Sequence, residues 1–471
     1  MKFMPKLAAV LILCSYALSS LAAVMSDSNP GSQLSYEQSL NRNEIRIAVP
    51  YDPTIYVDAK GKPTGISVPV AKYFGMWLSE NYKHKISVTL VPTLPGKLID
   101  ALDSGAADIA LGYLGQYQDR LGSPKYLSTT HAEHQKQVLV SAHNSPLISS
   151  VDDLSGKLVC LGRQVRSTAL MTLNERLAQE GRAPAIIYKD QVGLDDEAML
   201  QMVNEGLVPY VMGTEFRVDL WKPYLTNIKV YENIRYDIGG NIGWAIRSSD
   251  KRLGQDINSF SSSELNTEAL LMFDQDAFKT QKSGLKDPKG KEEWARFVSM
   301  RPIFEKYGNQ YHLNPLLLAS FGFQETMLNQ ALISPGGAIG VMQLNAATGD
   351  AMNVGNIHEL DSNIHAGAKY LNDLVSDNFK EDGLDNSNRT LFAIASYNLG
   401  PKNIEKARNE AARRGFDPNK WFLNVEMTTA ALFGMVPMSY VRNVYKYFVV
   451  YQLSLNPSLD NSLNHIGLLA E

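Results

Sequence analysis

The sequence predicts two structurally different parts, an α/β part followed by an all-α part. Strand-like apolar runs alternate with helical stretches from Glu44 to about Arg247, a pattern typical of α/β domains with mainly parallel sheets. After about Asn266 the strand-like runs end, and from Trp294 to Leu455 apolar residues recur at helical spacing. The 471 residues leave room for several domains.

The composition is that of an ordinary globular protein, with 44% hydrophobic and 20% charged residues. A formal net charge of −4 argues against general nucleic-acid binding and gives no electrostatic reason to bind anionic lipid. Of the two cysteines, Cys160 lies in an apolar strand-like run that predicts a buried, inert thiol. No zinc-spaced cluster of cysteines and histidines, no phosphate-binding loop and no Gly-x-Ser-x-Gly nucleophile turn is present in the sequence.

Residues 1–22 have the pattern of a secretory signal peptide. Two lysines precede an apolar run from Leu7 to Leu18, and Ala22 closes a stretch suited to cleavage. The run is too short to cross a bilayer comfortably. A retained anchor helix and lipidation at Cys14 are the alternatives. Changes in composition then predict a linker at 23–43, an α/β domain at 44–268, a connector at 269–293, a helical domain at 294–460 and a tail at 461–471.

Five segments of the α/β part occur in a characteristic order. They are Glu44–Tyr51, Gly65–Ala71, Ile99–Gly112, Asp153–Lys157 and Met199–Gly206. In this order they resemble the periplasmic amino-acid-binding protein family. The resemblance implies a periplasmic-binding-protein-like domain, in which two α/β lobes enclose a ligand cleft and close by hinge motion.

The same resemblance implies residues that bind a regulatory ligand. Arg120 stands where the family grips a ligand carboxylate with a bidentate fork, although an Arg in a surface loop also fits. Ser167 and Thr168 either open a helix whose free N–H groups bind an anion, or form a plain N-cap. Relatives usually carry an Asp that holds a ligand amino group shortly after the turn at Gly206. Here Pro209 and Thr214 cannot replace that carboxylate, which argues against a free amino acid. Two alternatives remain for this domain: it binds the carboxylate of a cell-wall peptide, or it binds no small ligand at all.

Glu325 is the first candidate catalytic residue of the all-α part. Asn314 and Pro315 are a good helix start, and Glu325 falls on the apolar stripe of that helix, near Phe321 and Leu328. A carboxylic acid among apolar side chains has its charged form disfavoured, so it can stay protonated near neutral pH and act as a general acid. A solvated helical glutamate is the alternative on spacing alone.

Two further segments follow this helix. Ser334–Gln343 is a glycine-rich turn before an apolar element, and Ala395–Pro401 ends a helix with a glycine placed as its cap. A tight turn and ordinary capping explain each segment taken alone. In this order and spacing, the three segments resemble the lytic transglycosylase domain of the goose-lysozyme-like fold, and the order of the two domains resembles the membrane-bound lytic murein transglycosylase F family. Asn363–Leu371 matches the family's intervening helix.

This resemblance implies site residues by position. Glu325 would be the catalytic acid, Met342 and Gln343 would floor the sugar cleft, and Tyr397 and Asn398 would orient Glu325 and the substrate N-acetyl group.

Two positions of the expected substrate site depart from the family pattern. Thr326 replaces the family's Ser but keeps a hydroxyl. Tyr440 is retained, but the Glu that precedes it in relatives is missing, which leaves substrate orientation at the C-terminal edge of the cleft open.

A single candidate carboxylate predicts a mechanism that consumes no water. Ordinary glycosidases use two carboxylates. Glu325 would protonate the bond between N-acetylmuramic acid and N-acetylglucosamine, and would then accept the proton of the muramic C6 hydroxyl, leaving a 1,6-anhydromuramic end. The expected substrate is the peptidoglycan glycan strand, with no metal or cofactor.

By analogy with the family, the protein would lie in the periplasm, on the inner face of the outer membrane of a Gram-negative bacterium. A further hypothesis is that wall peptides bound to the first domain change access to the second. A lysozyme-type hydrolase and a catalytically impaired wall-peptide-binding or scaffold protein are the alternative functions.

Overall fold

The computed structural model describes residues 34–272 and 285–456, apart from 95, 115–116, 133–134, 239–241 and 381–382. The predicted signal peptide and the predicted tail lie outside these residues.

The strands are, in chain order, β1 (Glu44–Pro50), β2 (Val57–Ala59), β3 (Lys62–Thr64), β4 (Ser87–Thr93), β5 (Ile109–Tyr113), β6 (Tyr126–Ala132), β7 (Lys136–Ala142), β8 (Leu158–Leu161), β9 (Ile186–Lys189), β10 (Tyr210–Thr214), β11 (Ile228–Asp237) and β12 (Ile242–Arg247).

The helices of the α/β part are α1 (Tyr36–Asn41), α2 (Ser67–Tyr82), α3 (Leu98–Asp103), α4 (Gln118–Leu121), α5 (Thr168–Gln179), α6 (Asp196–Asn204), α7 (Glu215–Trp221), α8 (Lys251–Ser261) and α9 (Glu264–Leu271). Those of the all-α part are α10 (Lys291–Gln310), α11 (Pro315–Thr326), α12 (Ala346–Met352), α13 (Leu360–Asp373), α14 (Asn386–Leu399), α15 (Pro401–Arg413), α16 (Glu426–Phe433) and α17 (Met435–Leu455).

The α/β part has two lobes, each built on a five-stranded sheet. The first lobe has the order β4-β1-β5-β12-β6 and the second the order β11-β7-β10-β8-β9. The prediction of mainly parallel sheets is wrong, because β12 pairs antiparallel with β5 and β6, and β7 pairs antiparallel with β10 and β11. The chain passes between the lobes after β6 and after β11, and antiparallel neighbours need no helical crossover.

Helix α1 lies inside the segment that was predicted as a linker. Ser35 caps this helix, and Tyr36 and Leu40 are buried against the first lobe. The Tyr36 hydroxyl donates to Asp256 of α8 at 2.6 Å. The folded lobe therefore begins earlier than the sequence indicates. The segment is rich in serine and asparagine, and this composition predicts a linker in spite of the two apolar residues.

Helix α11 is the centre of the all-α part and packs against α10 and α17. Asn314 caps its start by accepting from the Leu316 N–H at 2.9 Å, and Pro315 occupies the first turn. Phe321 and Phe323 are almost fully buried in the packing around it. The predicted all-α class is therefore confirmed, and the last turn of α11 is held on several sides. Within the described ranges, no helix is both long and apolar enough to cross a membrane.

Candidate active site

The site is built around Glu325, in the last turn of α11. The helix stops directly after it, because Met327 and Leu328 both adopt left-handed backbone angles, with φ of 52° and 62°. The carboxyl is half-buried, and the Tyr440 hydroxyl donates to its Oε1 at 2.5 Å. Burial raises the pKa of Glu325 above its ordinary value, and the hydrogen bond from Tyr440 opposes that rise.

Glu325 has no ionic partner within the described part of the chain. Burial and the Tyr440 hydrogen bond alone account for the shift in its pKa, so no charged side chain of the described residues contributes. This environment favours a protonated acid that can release and regain one proton, which is the property required of a general acid and base.

Two tyrosines border the carboxyl. Burial, reinforced by the charge of Glu325, raises the pKa values of Tyr440 and Tyr397 well above the ordinary value, so both remain protonated donors. The Phe321 ring lies beside both, with centroid distances of 5.0 Å to Tyr397 and 6.4 Å to Tyr440. Tyr370 packs against Tyr397 at 5.3 Å. The acid therefore lies beside an aromatic wall that carries hydroxyl groups.

The glycine-rich segment forms a rigid loop beside this wall. The Tyr397 hydroxyl donates to the Met342 carbonyl at 2.8 Å, and the Met342 N–H donates to Asn363 Oδ1 at 2.8 Å. A Cβ at Gly367 would lie 2.6 Å from the Met342 Cγ, so only glycine lets this side chain pack onto α13. Gly340 has φ of +73°, and a Cβ there would lie 2.6 Å from Asn363 Nδ2. The loop is thus packed against α13, the helix that carries Asn363 and Gly367.

The structure corrects two expected contacts with substrate. The Met342 side chain is fully buried, so it supports the loop instead of flooring a cleft. Thr326 is also buried; its hydroxyl lies 3.2 Å from the Gly322 carbonyl and 3.3 Å from the Val341 carbonyl, and accepts from the Asn329 N–H. Both side chains act on the architecture of the site, because they point into the packed interior.

The other predicted residues lie near the surface of the site. Gln343 is half-buried with φ of 46°, and its amide donates to the Gly340 carbonyl at 3.0 Å. Asn398 is exposed beside Tyr397 at the end of α14. Glu325, Tyr397 and Tyr440 are thus brought together, and Asn398 is accessible to a substrate.

Sequence reasoning missed the contacts on the other face of α17. Arg442 donates to Glu426 through Nε at 2.6 Å and to Asp195 of the second lobe through Nη1 at 3.1 Å. The Tyr445 hydroxyl donates to Asp190 at 2.8 Å. The helix that carries Tyr440 is therefore docked on the α/β part. The only signal in the sequence was that Arg442 and Lys446 stand among aromatic residues in one helical run.

The residues predicted to bind a regulatory ligand lie in different lobes, Arg120 in the first and Ser167 and Thr168 in the second. Arg120 forms ion pairs with Asp100 and Asp103, each at 2.5 Å, so both arms of its fork are occupied within its own lobe. Ser167 and Thr168 do begin helix α5, but the helix has no side-chain cap. Arg120 is thus paired with carboxylates of α3, and its role in binding a ligand stays a prediction.

Two families match the chain in consecutive regions. Residues 45–293 match bacterial extracellular solute-binding proteins, family 3, and residues 302–420 match the transglycosylase SLT domain. The first match covers just over half of the chain, so the protein belongs to the family 3 bacterial extracellular solute-binding proteins, and a transglycosylase SLT domain follows in the same chain.

Two relatives are similar to nearly the whole chain. Membrane-bound lytic murein transglycosylase F of Pectobacterium atrosepticum is 24% identical over 441 residues, which are 88% of this chain and 85% of that protein. The Yersinia enterocolitica protein of the same name is 26% identical over 469 residues, covering 91% and 88%. The predicted resemblance to this family is confirmed. A solved ancestral arginine-binding protein bound to arginine is 18% identical with a TM-score of 0.31, covering 50% of this chain and 99% of that one.

Proposed function

We propose that the protein is an exported peptidoglycan lytic transglycosylase that cleaves the β-1,4 bond between N-acetylmuramic acid and N-acetylglucosamine. The observation that carries the proposal is the environment of Glu325, a half-buried carboxyl with a raised pKa and no charged partner among the described residues. Such a group has the proton that the first step needs.

The proposed reaction uses this one proton twice. Glu325 protonates the glycosidic oxygen, the bond from that oxygen to the muramic C1 breaks, and an oxocarbenium-like or N-acetyl-assisted intermediate forms. The Glu325 carboxylate then accepts the proton of the muramic C6 hydroxyl, while the C6 oxygen forms the new bond to C1. The acid is regenerated, and the product is a 1,6-anhydromuramic end with no water consumed.

Tyr440 stabilises the intermediate stage of this cycle. Its hydroxyl donates to Glu325 at 2.5 Å, and a hydrogen bond to a carboxylate is stronger than one to the neutral acid. Burial favours the protonated form of Glu325 before the first step, and Tyr440 stabilises its carboxylate after that step. The balance of the two effects lets a single residue act as acid and then as base.

Two alternatives predict different products. A lysozyme-type hydrolase would attack the same intermediate with water, and an impaired scaffold would release nothing. Purified sacculi are digested in water labelled with heavy oxygen, and the soluble fragments are weighed by mass spectrometry. The proposal predicts anhydro ends without label. Labelled reducing ends would identify the hydrolase, and the absence of soluble fragments from a folded protein would support the scaffold.

We also propose that the protein works in the periplasm, at the inner face of the outer membrane. The signal-like pattern of residues 1–22 supports export, and the two relatives described above are named membrane-bound. Fractionation of cells expressing the tagged chain tests this. Recovery in the cytoplasmic fraction would contradict it.

The proposed role of the solute-binding domain is to hold α17, the helix that carries Tyr440, in place. Arg442 and Tyr445 fix this helix to the second lobe, and Tyr440, on the same helix, contacts Glu325. The docking therefore supplies a physical connection between the two domains, whatever occupies the cleft between the lobes.

A further inference from the structure

The crevice between the two lobes lies at the carboxyl ends of β1, β5 and β10, the kind of edge where ligands bind in open α/β sheets. Asp52 follows β1 and Tyr113 ends β5 in the first lobe, whereas Thr214 ends β10 in the second. In this chain a side chain of the protein itself reaches into that crevice. It is Arg217 of helix α7, which is 3% exposed.

Arg217 makes polar contacts along its whole guanidinium group. Nη2 lies 2.6 Å from Asp52 Oδ2, and Nε lies 2.9 Å from Asp196 Oδ1. Nη1 donates to the Thr54 hydroxyl at 2.5 Å. The ring of Tyr113 lies beneath the group, with 5.1 Å from its carbon to the ring centroid. Two carboxylates, a hydroxyl and an aromatic face are the contacts by which a protein site recognises a guanidinium ligand.

These contacts cross from one lobe to the other. Arg217 and Asp196 belong to the second lobe, whereas Asp52, Thr54 and Tyr113 belong to the first. All but Tyr113 are less than 9% exposed, so the contacts are shielded from water.

The cation also compensates a buried acid. Burial raises the pKa of Asp196, and Arg217 opposes that rise. Thr214, which offers no carboxylate to a ligand amino group, donates its backbone N–H to Asp196 at 3.1 Å. Thr214 is therefore bound to a carboxylate of its own lobe, the same carboxylate that Arg217 contacts.

We propose that the crevice is a guanidinium site that the protein fills with its own Arg217, so that the two lobes are held together without a soluble ligand. The solute-binding domain is then a fixed support for α17. A free amino acid or a wall peptide has no need to enter the crevice, and binding of one would require Arg217 to leave.

The test is chemical rescue of Arg217→Gly in the full chain. We expect the thermal midpoint to fall by about 5–15 °C, because a buried ion pair is broken. Low concentrations of guanidinium chloride, or of free arginine, restore part of this loss. Urea, which has a similar shape without the charge, and sodium chloride at the same ionic strength do not.

The matched control is Arg176→Gly, which removes an exposed arginine paired with Asp152 in the same lobe. Guanidinium leaves the midpoints of this variant and of the wild type unraised. The proposal is overturned if guanidinium raises the Arg217→Gly midpoint no more than the control midpoint. It is also overturned if arginine or a wall tripeptide raises the midpoint of the wild type.

A second variant keeps the test decisive if Arg217→Gly yields no folded protein. Arg217→Lys retains the charge but loses the fork, so it cannot bridge Asp52 and Asp196 together. We expect small-angle scattering to show a larger radius of gyration than for the wild type, because the lobes separate. Equal radii would overturn the proposal.

Discussion

Helix α17 contacts acidic residues at two sites, and it places a different group at each. At the active site, Tyr440 presents a neutral hydroxyl to Glu325. At the domain interface, Arg442, two positions later, presents a positive charge to Asp195 and Glu426. The same helix therefore gives one acid a neutral hydrogen-bond donor and pairs two other acids with a cation.

The pKa values follow this difference. Burial opposes ionisation of Asp195, yet the charges of Arg442 and Arg217 hold the pKa of Asp195 below its ordinary value. At Glu325, burial outweighs the single hydrogen bond and the pKa is raised. Burial alone thus does not decide whether the pKa of a carboxyl is raised; the charge of the neighbouring group also matters.

The largest expected effect is on catalysis, from Glu325→Gln. The amide cannot donate and regain a proton, so we expect release of soluble fragments from sacculi to fall by about 10²–10⁴-fold or more. Glu305→Gln, on the exposed face of α10, is the matched control and retains wild-type release. Equal digestion by the Glu325 variant and the control would remove Glu325 from the reaction.

The next effect is on stability, from Arg442→Met. Loss of the cation leaves the buried carboxylates of Asp195 and Glu426 without their ion pair, and breaking such a pair costs about 3–5 kcal/mol. We expect the free energy of unfolding in urea to fall by this amount, and fragment release to fall as α17 loosens. Arg413→Met removes an exposed pair with Glu410 and leaves the unfolding midpoint nearly unchanged. A small, equal effect of both changes would contradict the distinction drawn between the interface and an ordinary surface pair.

Tyr440→Phe is expected to lower the rate by a smaller factor and to shift the pH dependence of the reaction in a defined direction. The hydrogen bond from Tyr440 lowers the pKa of Glu325, so its removal raises that pKa further. A general acid is active while protonated, so the alkaline limb of the pH profile of kcat/KM moves to higher pH. Near neutral pH we expect a loss of about 10–100-fold, the value of a hydrogen bond to a charged group. A limb that stays in place or moves to lower pH would show that Tyr440 does not act on the Glu325 carboxyl.

The smallest effect is on the stability of Glu325→Gln. In the unfolded chain a glutamate titrates near pH ~4.3, whereas burial raises the pKa of Glu325 in the folded protein. The folded state therefore loses stability as pH rises from the unfolded pKa to the folded one. The substitution removes this loss, so the variant should melt above the wild type at about pH 8, and the difference should vanish at about pH 4. A variant that melts below the wild type at about pH 8 but equally with it at about pH 4 would indicate that the charge of Glu325 is stabilised.

The residues of the candidate site could be selected from the sequence, whereas the contacts in the crevice could not. Glu325, Tyr397 and Tyr440 were selected because each stands in a segment that resembles the transglycosylase family; the structure places them close together, and their roles stay predictions. The directions of the Met342 and Thr326 side chains were missed, since a motif fixes neither the buried face of a loop nor the partner of a hydroxyl.

Contacts between distant parts of the chain were beyond prediction from the sequence. Arg442 and Asp195 are 247 positions apart, and Arg217 and Asp52 are 165 apart. Apolar periodicity indicates which face of a helix is buried but not which acid a buried arginine meets. For the same reason Arg120 was favoured as a ligand residue, although the neighbouring helix α3 already satisfies it.

The central claim is that Glu325 holds a proton because it lacks a cation, and its pKa tests this most directly. Glutamate labelled with a carboxyl isotope is incorporated, the Glu325 signal is assigned by its absence in Glu325→Gln, and it is titrated by NMR. We expect a pKa above the ordinary value of about 4.3. A pKa at or below that value would mean that the carboxyl is ionised like an ordinary surface glutamate, and would contradict its role as the proton donor.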